Sequence, residues 1–331
     1  MTASVESPVG ARMQRGRVPD FFIVGHPKCG TTALYETLRA HPQIYMPEIK
    51  ELRFFASDIY PRSESSTLAG LPRTLETYRS LFGVALPEQR TGEASPLYLI
   101  SRTAADEIAA VQPDARVIAI LREPASFLRS LHLQWVRSHF ETVKDLRKAL
   151  SLEQARREGS QIPRASLFRP QILLYSDFVR YADQLRRYHA AFPSEQVLVL
   201  IYDDLRRDNE TTMSRVLSFL EVDRTSPTAM AEVNPTVRLR SRHLDQLVHA
   251  VTVGRNPVTQ FAKASLKALT PRRLRHRALS ATRERIVYDR PSRPDQALML
   301  ELRRRYKGEV VALSEYLGLD LVRLWGYDNL D

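Results

Sequence analysis

The hydrophobic pattern of the chain begins at Phe21–Val24, a short run of apolar residues that ends at Gly25. A continuous apolar run of this length is typical of a strand that is buried on both faces of a parallel sheet. Two later runs, Arg116–Leu121 and Gln196–Tyr202, are equally apolar. The pattern therefore predicts three buried strands.

Outside these runs, apolar residues recur every three or four positions, which is the spacing of amphipathic helices. Strands that alternate with helices imply a mostly parallel central sheet with helices on both faces, so we assign the chain to the α/β class. After the last helix, Leu321–Tyr327 is expected to dock as a C-terminal edge. The predicted helices are Thr31–Ala40, Leu75–Phe82, Thr103–Val111, Ser126–Arg137, Ile172–Ala191, Thr211–Leu220 and Gln296–Leu317.

The composition is ordinary for a folded protein, because 43% of the 331 residues are hydrophobic and 26% are charged. We expect one domain over residues 20–331, since α/β enzymes of this length often form one unit. Residues 1–19 mix Ser, Pro, Gly and Arg without periodicity and are predicted to form a disordered tail. No apolar stretch has the length of a secretory signal core or a membrane span, so we expect a soluble protein.

The formal net charge of +11 favours polyanionic partners, such as nucleic acid, an anionic membrane surface or a phosphate-rich small molecule. Twelve Arg or Lys residues and only two acidic residues lie between positions 238 and 285, which indicates a basic excursion that extends to about residue 290. Cys29 is the only cysteine, which excludes an internal disulfide and a zinc site built from cysteines. A cytoplasmic location is expected on this ground. Only seven of the 49 basic residues are lysines, so Lys28 is not part of a general lysine surplus.

Lys28 belongs to the segment Gly25–Thr32, which lies between the first predicted strand and the first turn of a helix. Exposed backbone N–H groups and the helix dipole attract an anion at such a place. Gly30 lets the backbone approach a phosphate closely, while Thr31 and Thr32 add hydroxyl donors. The pattern is not the Walker motif, because the lysine precedes the last glycine and no Mg²⁺ arrangement is evident. The residues alone allow either a phosphate cradle or a tight turn with a surface lysine.

This loop resembles the 5′-phosphosulfate loop of the sulfotransferases that use 3′-phosphoadenosine 5′-phosphosulfate (PAPS), which reads Pro-Lys-x-Gly-Thr-Thr. The resemblance implies a P-loop-like sulfotransferase fold and places Lys28 at the oxygen that bridges sulfate and phosphate. It also implies that Gly30, Thr31 and Thr32 bind the 5′-phosphate, and Cys29 is included among the nucleotide-binding residues. The matching residues are Pro27, Lys28, Gly30, Thr31 and Thr32.

A second motif, Lys50–Phe55, follows the first helix and combines one carboxylate with two aromatic residues. It is similar to the Lys-Glu-x-x-Phe-Phe segment of heparan-type sulfotransferases and their bacterial relatives, in which the glutamate is the general base. The resemblance implies that role for Glu51, and the two phenylalanines are expected to pack in the core. Without the resemblance, Glu51 is a solvated loop carboxylate beside Lys50. Several relatives have histidine at the position of Arg53.

A third motif begins at Arg122, which directly follows a predicted strand, and it continues to Ser130 on the next helix. Ligands of open parallel sheets bind beyond the carboxyl ends of the strands, where an arginine and a serine can hold a phosphate. The motif resembles the family's Arg-x-Pro followed by Ser, which implies that Arg122 and Ser130 bind the 3′-phosphate. The alternative is a solvated or ion-paired surface arginine. Ala94 stands where many heparan-type members have an additional lysine.

The resemblance to bacterial members extends from about Asp20 to Tyr327 and is weakest over Thr225–Pro291. Tyr181 begins one of the similar segments and is included among the predicted cofactor-binding residues. Three arginines in the weak region are predicted partners of the 3′-phosphate, with a solvated basic face as the alternative. These three are Arg238, Arg240 and Arg242.

The predicted function is in-line sulfuryl transfer from PAPS to a hydroxyl or amine of a carbohydrate, lipid or small natural product. Glu51 would remove the acceptor proton and Lys28 would neutralise the leaving phosphate. We expect no metal cofactor and no nucleic-acid partner, while peripheral membrane contact and the oligomeric state stay open. Two other classes are a Mg²⁺-dependent P-loop kinase or nucleotidase and a non-catalytic binder of polyanions or membrane surfaces through residues 238–285.

Overall fold

The structure is a computed structural model that describes residues 16–61, 70–167, 169–224 and 293–330, together with the backbone at 238–239 and 288–289. Its main sheet has five strands in the order β2-β3-β1-β4-β5, and every neighbouring pair is parallel. Helices flank this sheet, which confirms the predicted α/β class. The strands are Phe21–Gly25 (β1), Ile44–Tyr45 (β2), Arg90–Ala94 (β3), Arg116–Leu121 (β4) and Val197–Ile201 (β5).

The central strand β1 and its neighbour β4 consist almost entirely of buried residues, as their apolar runs predicted. Strand β3 was not predicted, because its residues Arg-Thr-Gly-Glu-Ala contain no apolar run. It nevertheless lies beside β1, where Gly92 is paired with Phe21. A Cβ atom at Gly92 would lie 2.1 Å from the Phe21 ring, so the glycine makes room for that ring in the core.

Most predicted helices are present with boundaries within two residues of the prediction, but one of them is broken into shorter elements. The helix predicted from Ser126 begins at Pro124, because the Glu123 carboxylate accepts hydrogen bonds from the amides of Ala125 and Ser126 and caps it. The helix predicted over 172–191 is broken at two residues with non-helical dihedral angles, Leu174 and Arg180. The helices are Thr31–Arg39 (α1), Leu75–Ser80 (α2), Ala104–Val111 (α3), Pro124–Arg137 (α4), Leu146–Ser151 (α5), Glu153–Arg157 (α6), Tyr175–Phe178 (α7), Tyr181–Ala191 (α8), Tyr202–Arg207 (α9), Asn209–Phe219 (α10), Gln296–Leu317 (α11) and Leu321–Leu324 (α12). Short 3₁₀ turns lie at Arg164–Ser166, Pro170–Leu173 and Ser194–Gln196.

The C-terminal segment docks onto the sheet domain, which confirms that prediction. The buried Tyr327 donates its hydroxyl to Glu123 Oε1 at 2.6 Å, and Trp325 Nε1 donates to Asp203 Oδ2 at 3.0 Å. Helix α11 packs against α4 and α8. The C-terminal segment therefore contacts and stabilises the turn between β4 and α4.

A second sheet of two short strands lies within the basic excursion. Strands β6 (Arg238–Leu239) and β7 (Tyr288–Asp289) form an antiparallel pair, and the backbone of β6 lies close to α4. The predicted roles of the Arg238, Arg240 and Arg242 side chains lie outside the described residues, as does the predicted tail up to residue 15. Within the described chain, none of the helices combines the length and the apolar composition needed to cross a membrane.

Candidate functional site

The loop after β1 has the geometry of an anion cradle. Gly30 forms the N-cap of α1 with φ of 88°, and no side chain caps this helix end. The first amides of a helix have no intrahelical partner and carry the positive end of the dipole. A Cβ atom at position 30 would also lie 2.9 Å from Leu205. The left-handed backbone conformation therefore favours glycine at position 30, and the uncapped end of α1 that follows it suits an anion.

His26 anchors the loop in the core, because its ring is fully buried against Phe127, Phe178 and Tyr181. His26 Nε2 lies 2.6 Å from Gln184 Oε1. Burial lowers the pKa of His26 to about 4, so the ring is neutral at pH 7. His26 therefore fixes the loop without adding charge to it.

Cys29 lies inside the loop with its thiol fully buried. Burial raises the pKa of the thiol to about 12, so the group stays protonated and is not a nucleophile. Its amide donates to the His26 carbonyl at 3.3 Å. The structure therefore shows Cys29 as a packing residue of the loop, and its contact with a nucleotide stays a prediction.

Positive charges gather around Lys28, which has a left-handed backbone with φ of 63°. Burial, together with the charges of Arg137 and Arg122, lowers the pKa of the Lys28 ammonium to about 8. Burial and the charge of Arg122 also lower the pKa of Arg129, which is on α4. Cations that depress one another's pKa values in this way favour an anionic ligand between them.

Arg122 lies at the carboxyl end of β4, as predicted, and it contacts the phosphate loop directly. Its Nη1 donates to the Lys28 carbonyl at 3.1 Å, and its guanidinium lies 4.7 Å from the centroid of the Tyr202 ring. The Arg122 carbonyl accepts the hydroxyl proton of Tyr181 at 2.9 Å. Tyr181 is only 1% exposed, so it positions Arg122 and His26 from within the core. Ser130 is buried on α4, the helix that lies close to the backbone of β6.

The loop that carries Glu51 is attached to the end of β3 beside this cradle. The Glu51 amide donates to the Ala94 carbonyl at 3.0 Å, and the Glu51 carboxylate pairs with Arg53 Nη2 at 2.5 Å. Arg53 also lies over the ring of Tyr60, 5.0 Å from its centroid. Lys50 reaches in the other direction and donates from Nζ to Thr32 Oγ1 at 2.8 Å. The structure thus brings the Glu51 segment against the phosphate loop.

A buried carboxylate, Glu93, holds this arrangement together. It accepts hydrogen bonds from the hydroxyls of Tyr78 (2.5 Å), Ser95 (2.5 Å) and Tyr98 (2.9 Å). Ser95 Oγ in turn accepts the Arg53 amide at 3.0 Å, and the Tyr98 hydroxyl accepts the Phe55 amide at 3.2 Å. Burial raises the pKa of Glu93 to about 6, although the hydroxyl donors act in the opposite direction.

Three features of the site were not predicted from the sequence. Lys50 was treated as a neighbour of Glu51, whereas it contacts the phosphate loop. Glu93 and the arginines of α4, Arg129 and Arg137, received no role. Arg129 and Arg137 are eight residues apart on α4, a spacing of about two helical turns that was the available signal for the arginines. Glu93 lies within a polar segment, and no sequence signal pointed to it. Among the described residues, no three His, Cys, Asp or Glu side chains are grouped to hold a metal ion.

The chain is similar to known proteins along most of this region. A family model described as "Sulfotransferase domain" matches residues 18–252. Carbohydrate sulfotransferase 15 of Homo sapiens is 27% identical in an alignment of 254 residues, and the match covers 62% of this chain and 44% of that protein. The bifunctional heparan sulfate N-deacetylase/N-sulfotransferase 3 of Homo sapiens is 30% identical over 215 residues, 62% of this chain and 22% of that protein. The match therefore spans less than half the length of either relative. The crystal structure of a sulfotransferase from Alicyclobacillus acidocaldarius has a TM-score of 0.65 at 24% identity, covering 93% of this chain and 99% of that chain, and it shows the shared fold.

Proposed function

Because the chain belongs to the sulfotransferase family, whose model matches residues 18–252, we propose that it transfers a sulfuryl group from PAPS to an acceptor. The observation that carries this proposal is the contact between two motifs that are 94 residues apart, in which Arg122 donates to the carbonyl of Lys28. One end of a doubly phosphorylated nucleotide would lie at each motif. A ligand with a single phosphate would occupy only one of the two motifs.

The 5′ end of the nucleotide would lie on the N-terminus of α1. We assign the 5′-phosphate to the amides and hydroxyls of Gly30, Thr31 and Thr32, and the bridging oxygen to Lys28. The 3′-phosphate would be held by Arg122, at the end of β4, and by Ser130, on α4. The backbone of β6 lies close to this helix.

In the transfer step, an acceptor oxygen or nitrogen attacks sulfur in line with the oxygen that bridges to the 5′-phosphate. The new bond to sulfur forms as the bond from sulfur to the bridging oxygen breaks, and the electron pair of that bond stays on the phosphate. Glu51 takes the acceptor proton, and Lys28 neutralises the phosphate oxygen as its charge grows. We propose that no metal ion takes part, because fixed cations already surround this oxygen.

The acceptor is proposed to be a carbohydrate in the first instance, because the two curated relatives carry carbohydrate and heparan sulfate in their names. Arg53 and Arg169 both lie over the Tyr60 ring near Glu51, with their guanidinium carbons 5.0 and 5.4 Å from its centroid. The N–H donors of such guanidinium groups suit the oxygen atoms of a sugar.

Two measurements test the proposed function. Calorimetry should show that adenosine 3′,5′-bisphosphate binds at least about tenfold more tightly than AMP, because one phosphate contact is worth that much. Incubation with ³⁵S-labelled PAPS and a panel of carbohydrate, lipid and small natural-product acceptors should label a carbohydrate, with and without EDTA. Equal affinity for the bisphosphate and AMP would reject the assignment. Phosphoryl transfer from ATP that requires Mg²⁺ would favour a kinase instead.

A further inference from the structure

Lys50 is the second lysine at the phosphate loop, and its ammonium group has an unusual environment. Its Nζ donates to Thr32 Oγ1 at 2.8 Å and lies 5.9 Å from the centroid of the Tyr35 ring. Within the described residues, no carboxylate lies at ion-pair distance from Nζ. A partly buried ammonium with three donors and one neutral partner retains donors for an anion.

The contact with Thr32 also decides how that hydroxyl is oriented. An ammonium can only donate, so Thr32 Oγ1 must accept from Lys50. The hydroxyl hydrogen of Thr32 is then left for another acceptor, and the nearest expected one is the 5′-phosphate on the helix N-terminus. Lys50 therefore prepares Thr32 as a phosphate donor.

The position of Lys50 along the reaction axis follows from its two neighbours. Thr32 belongs to the phosphate cradle, and Glu51, the next residue in the chain, carries the proposed base. In an in-line transfer the sulfuryl group lies between the 5′-phosphate and the acceptor, and the acceptor lies beside the base. An ammonium held between the cradle and the base is therefore placed beside the sulfuryl oxygens.

We propose, on the basis of the proposed function, that Lys50 is a further catalytic residue, whose ammonium binds the sulfuryl oxygens of PAPS and holds sulfur in line. Lys50 stays protonated throughout the step, since the acceptor proton goes to Glu51. Lys28 and Lys50 then divide the work, because Lys28 serves the leaving phosphate and Lys50 serves the group that is transferred. Burial lowers the pKa of Lys50, which is the expected cost of holding an ammonium where a ligand anion will supply its counter-charge.

The test compares PAPS with adenosine 3′,5′-bisphosphate, which differ only in the sulfuryl group. Calorimetry at pH 7 with Lys50→Met should show that PAPS affinity falls about tenfold more than bisphosphate affinity, as expected for one lost charge-assisted hydrogen bond. Lys50→Arg should recover part of the PAPS preference because it keeps the charge. Lys148→Met removes an exposed lysine on α5 and should change neither affinity.

The outcomes separate this proposal from the proposed function. If the wild-type protein does not prefer the bisphosphate over AMP, the proposed function fails. If that preference is present but Lys50→Met lowers PAPS and bisphosphate affinity equally, or lowers neither, the sulfuryl contact is refuted and the nucleotide assignment stands. Thermal unfolding of each variant, with Lys50→Gln as a second neutral substitution, identifies a loss that comes from misfolding.

Discussion

Arg122 donates a hydrogen bond from Nη1 to the main-chain carbonyl of Lys28 at 3.1 Å, so the ends of β1 and β4 are joined by a side chain. The carbonyl of Arg122 is itself held by the Tyr181 hydroxyl at 2.9 Å. The two motifs that we propose to bind the phosphates therefore form one unit before any nucleotide binds. A substitution in one motif should therefore change the position of the residues in the other.

Replacing Arg122 should show whether its guanidinium binds the 3′-phosphate or only supports the loop that contains Lys28. Arg122→Met removes the guanidinium, and we expect the affinity for adenosine 3′,5′-bisphosphate to fall by about 10- to 100-fold, the range for a lost charge-assisted contact. AMP affinity should fall much less, because AMP has no 3′-phosphate. Calorimetry with both ligands measures the difference.

Tyr181→Phe is the matched control for this experiment, since it removes only the hydroxyl that holds the Arg122 carbonyl. It should weaken both ligands slightly and equally. An Arg122→Met variant that loses AMP and bisphosphate affinity to the same extent would show that Arg122 only supports the loop.

The charge of Lys28 should make nucleotide binding depend on pH. Burial and two arginines lower the pKa of Lys28 to about 8 in the free protein, so the ammonium is present below pH 8 and is lost as the pH rises through that value. Affinity for adenosine 3′,5′-bisphosphate should therefore fall between about pH 7 and pH 9. Calorimetry across this range measures the change.

Lys28→Arg provides the comparison, because an arginine stays protonated at these pH values. The Lys50 pKa is also lowered by burial, and this second lysine is common to both proteins. The difference between the wild-type and Lys28→Arg profiles therefore reports on Lys28. Parallel profiles would contradict the assignment of the slope to this residue.

The elements that could be predicted from the sequence are those that a local pattern determines, either a continuous apolar run in a strand or the apolar face of a helix. Strands β1, β4 and β5 are apolar runs, and the burial of β1 and β4 follows from hydrophobicity. Strand β5 was also predicted to be buried, but it lies at the sheet edge, where Leu198 and Val199 are only half-buried. Strand β3 contains Arg90, Thr91 and Glu93, and it is buried only because distant side chains satisfy its polar groups. The partner Tyr78 precedes Glu93 by 15 residues and comes from helix α2. No local pattern carries such a pairing.

The same distinction applies to the site. Lys28 and Arg122 each follow a strand, so the rule that ligands bind at the carboxyl ends of strands placed them together. The contact between Lys50 and Thr32 depends on how the segment after β2 folds back on α1, a tertiary result that 18 residues of separation do not reveal. Tyr181 was predicted to bind the cofactor. In the structure its side chain is buried and its hydroxyl donates to the Arg122 carbonyl, so a contact with the nucleotide stays a prediction.

Glu51 is the residue whose removal should affect transfer without affecting nucleotide binding. Its carboxylate is proposed to face the acceptor, and in the described part of the chain it forms an ion pair with Arg53. Glu51→Gln should lower the rate of ³⁵S transfer by more than about tenfold, or 1.4 kcal/mol of transition-state stabilisation, with bisphosphate affinity unchanged. Glu48→Gln changes an exposed carboxylate of the same loop and should retain the wild-type rate. A Glu51→Gln protein with wild-type transfer would remove Glu51 from the mechanism.

Glu93 should give the folding equilibrium a component that weakens as the pH rises. Its folded pKa is about 6, whereas the ordinary value is 4.5, so between these pH values the folded state binds more protons than the unfolded state. The free energy of unfolding contributed by the protonated carboxyl is fully present below pH 4.5 and is lost above pH 6. A shift of this size corresponds to about 2 kcal/mol.

Glu93→Gln has no proton to exchange at this position, so its unfolding free energy should lack this component. His26 titrates in the same range with the opposite sign, since its folded pKa of about 4 lies below its ordinary value of 6.5 and makes stability rise with pH. That contribution is identical in both proteins and cancels when the two denaturant-unfolding curves are subtracted at each pH. The wild-type advantage over Glu93→Gln should therefore shrink by about 2 kcal/mol from pH 4.5 to pH 7. A difference that stays constant with pH would mean that Glu93 ionises as freely in the folded protein as in the unfolded chain, and that its three hydroxyl partners offset the whole effect of burial.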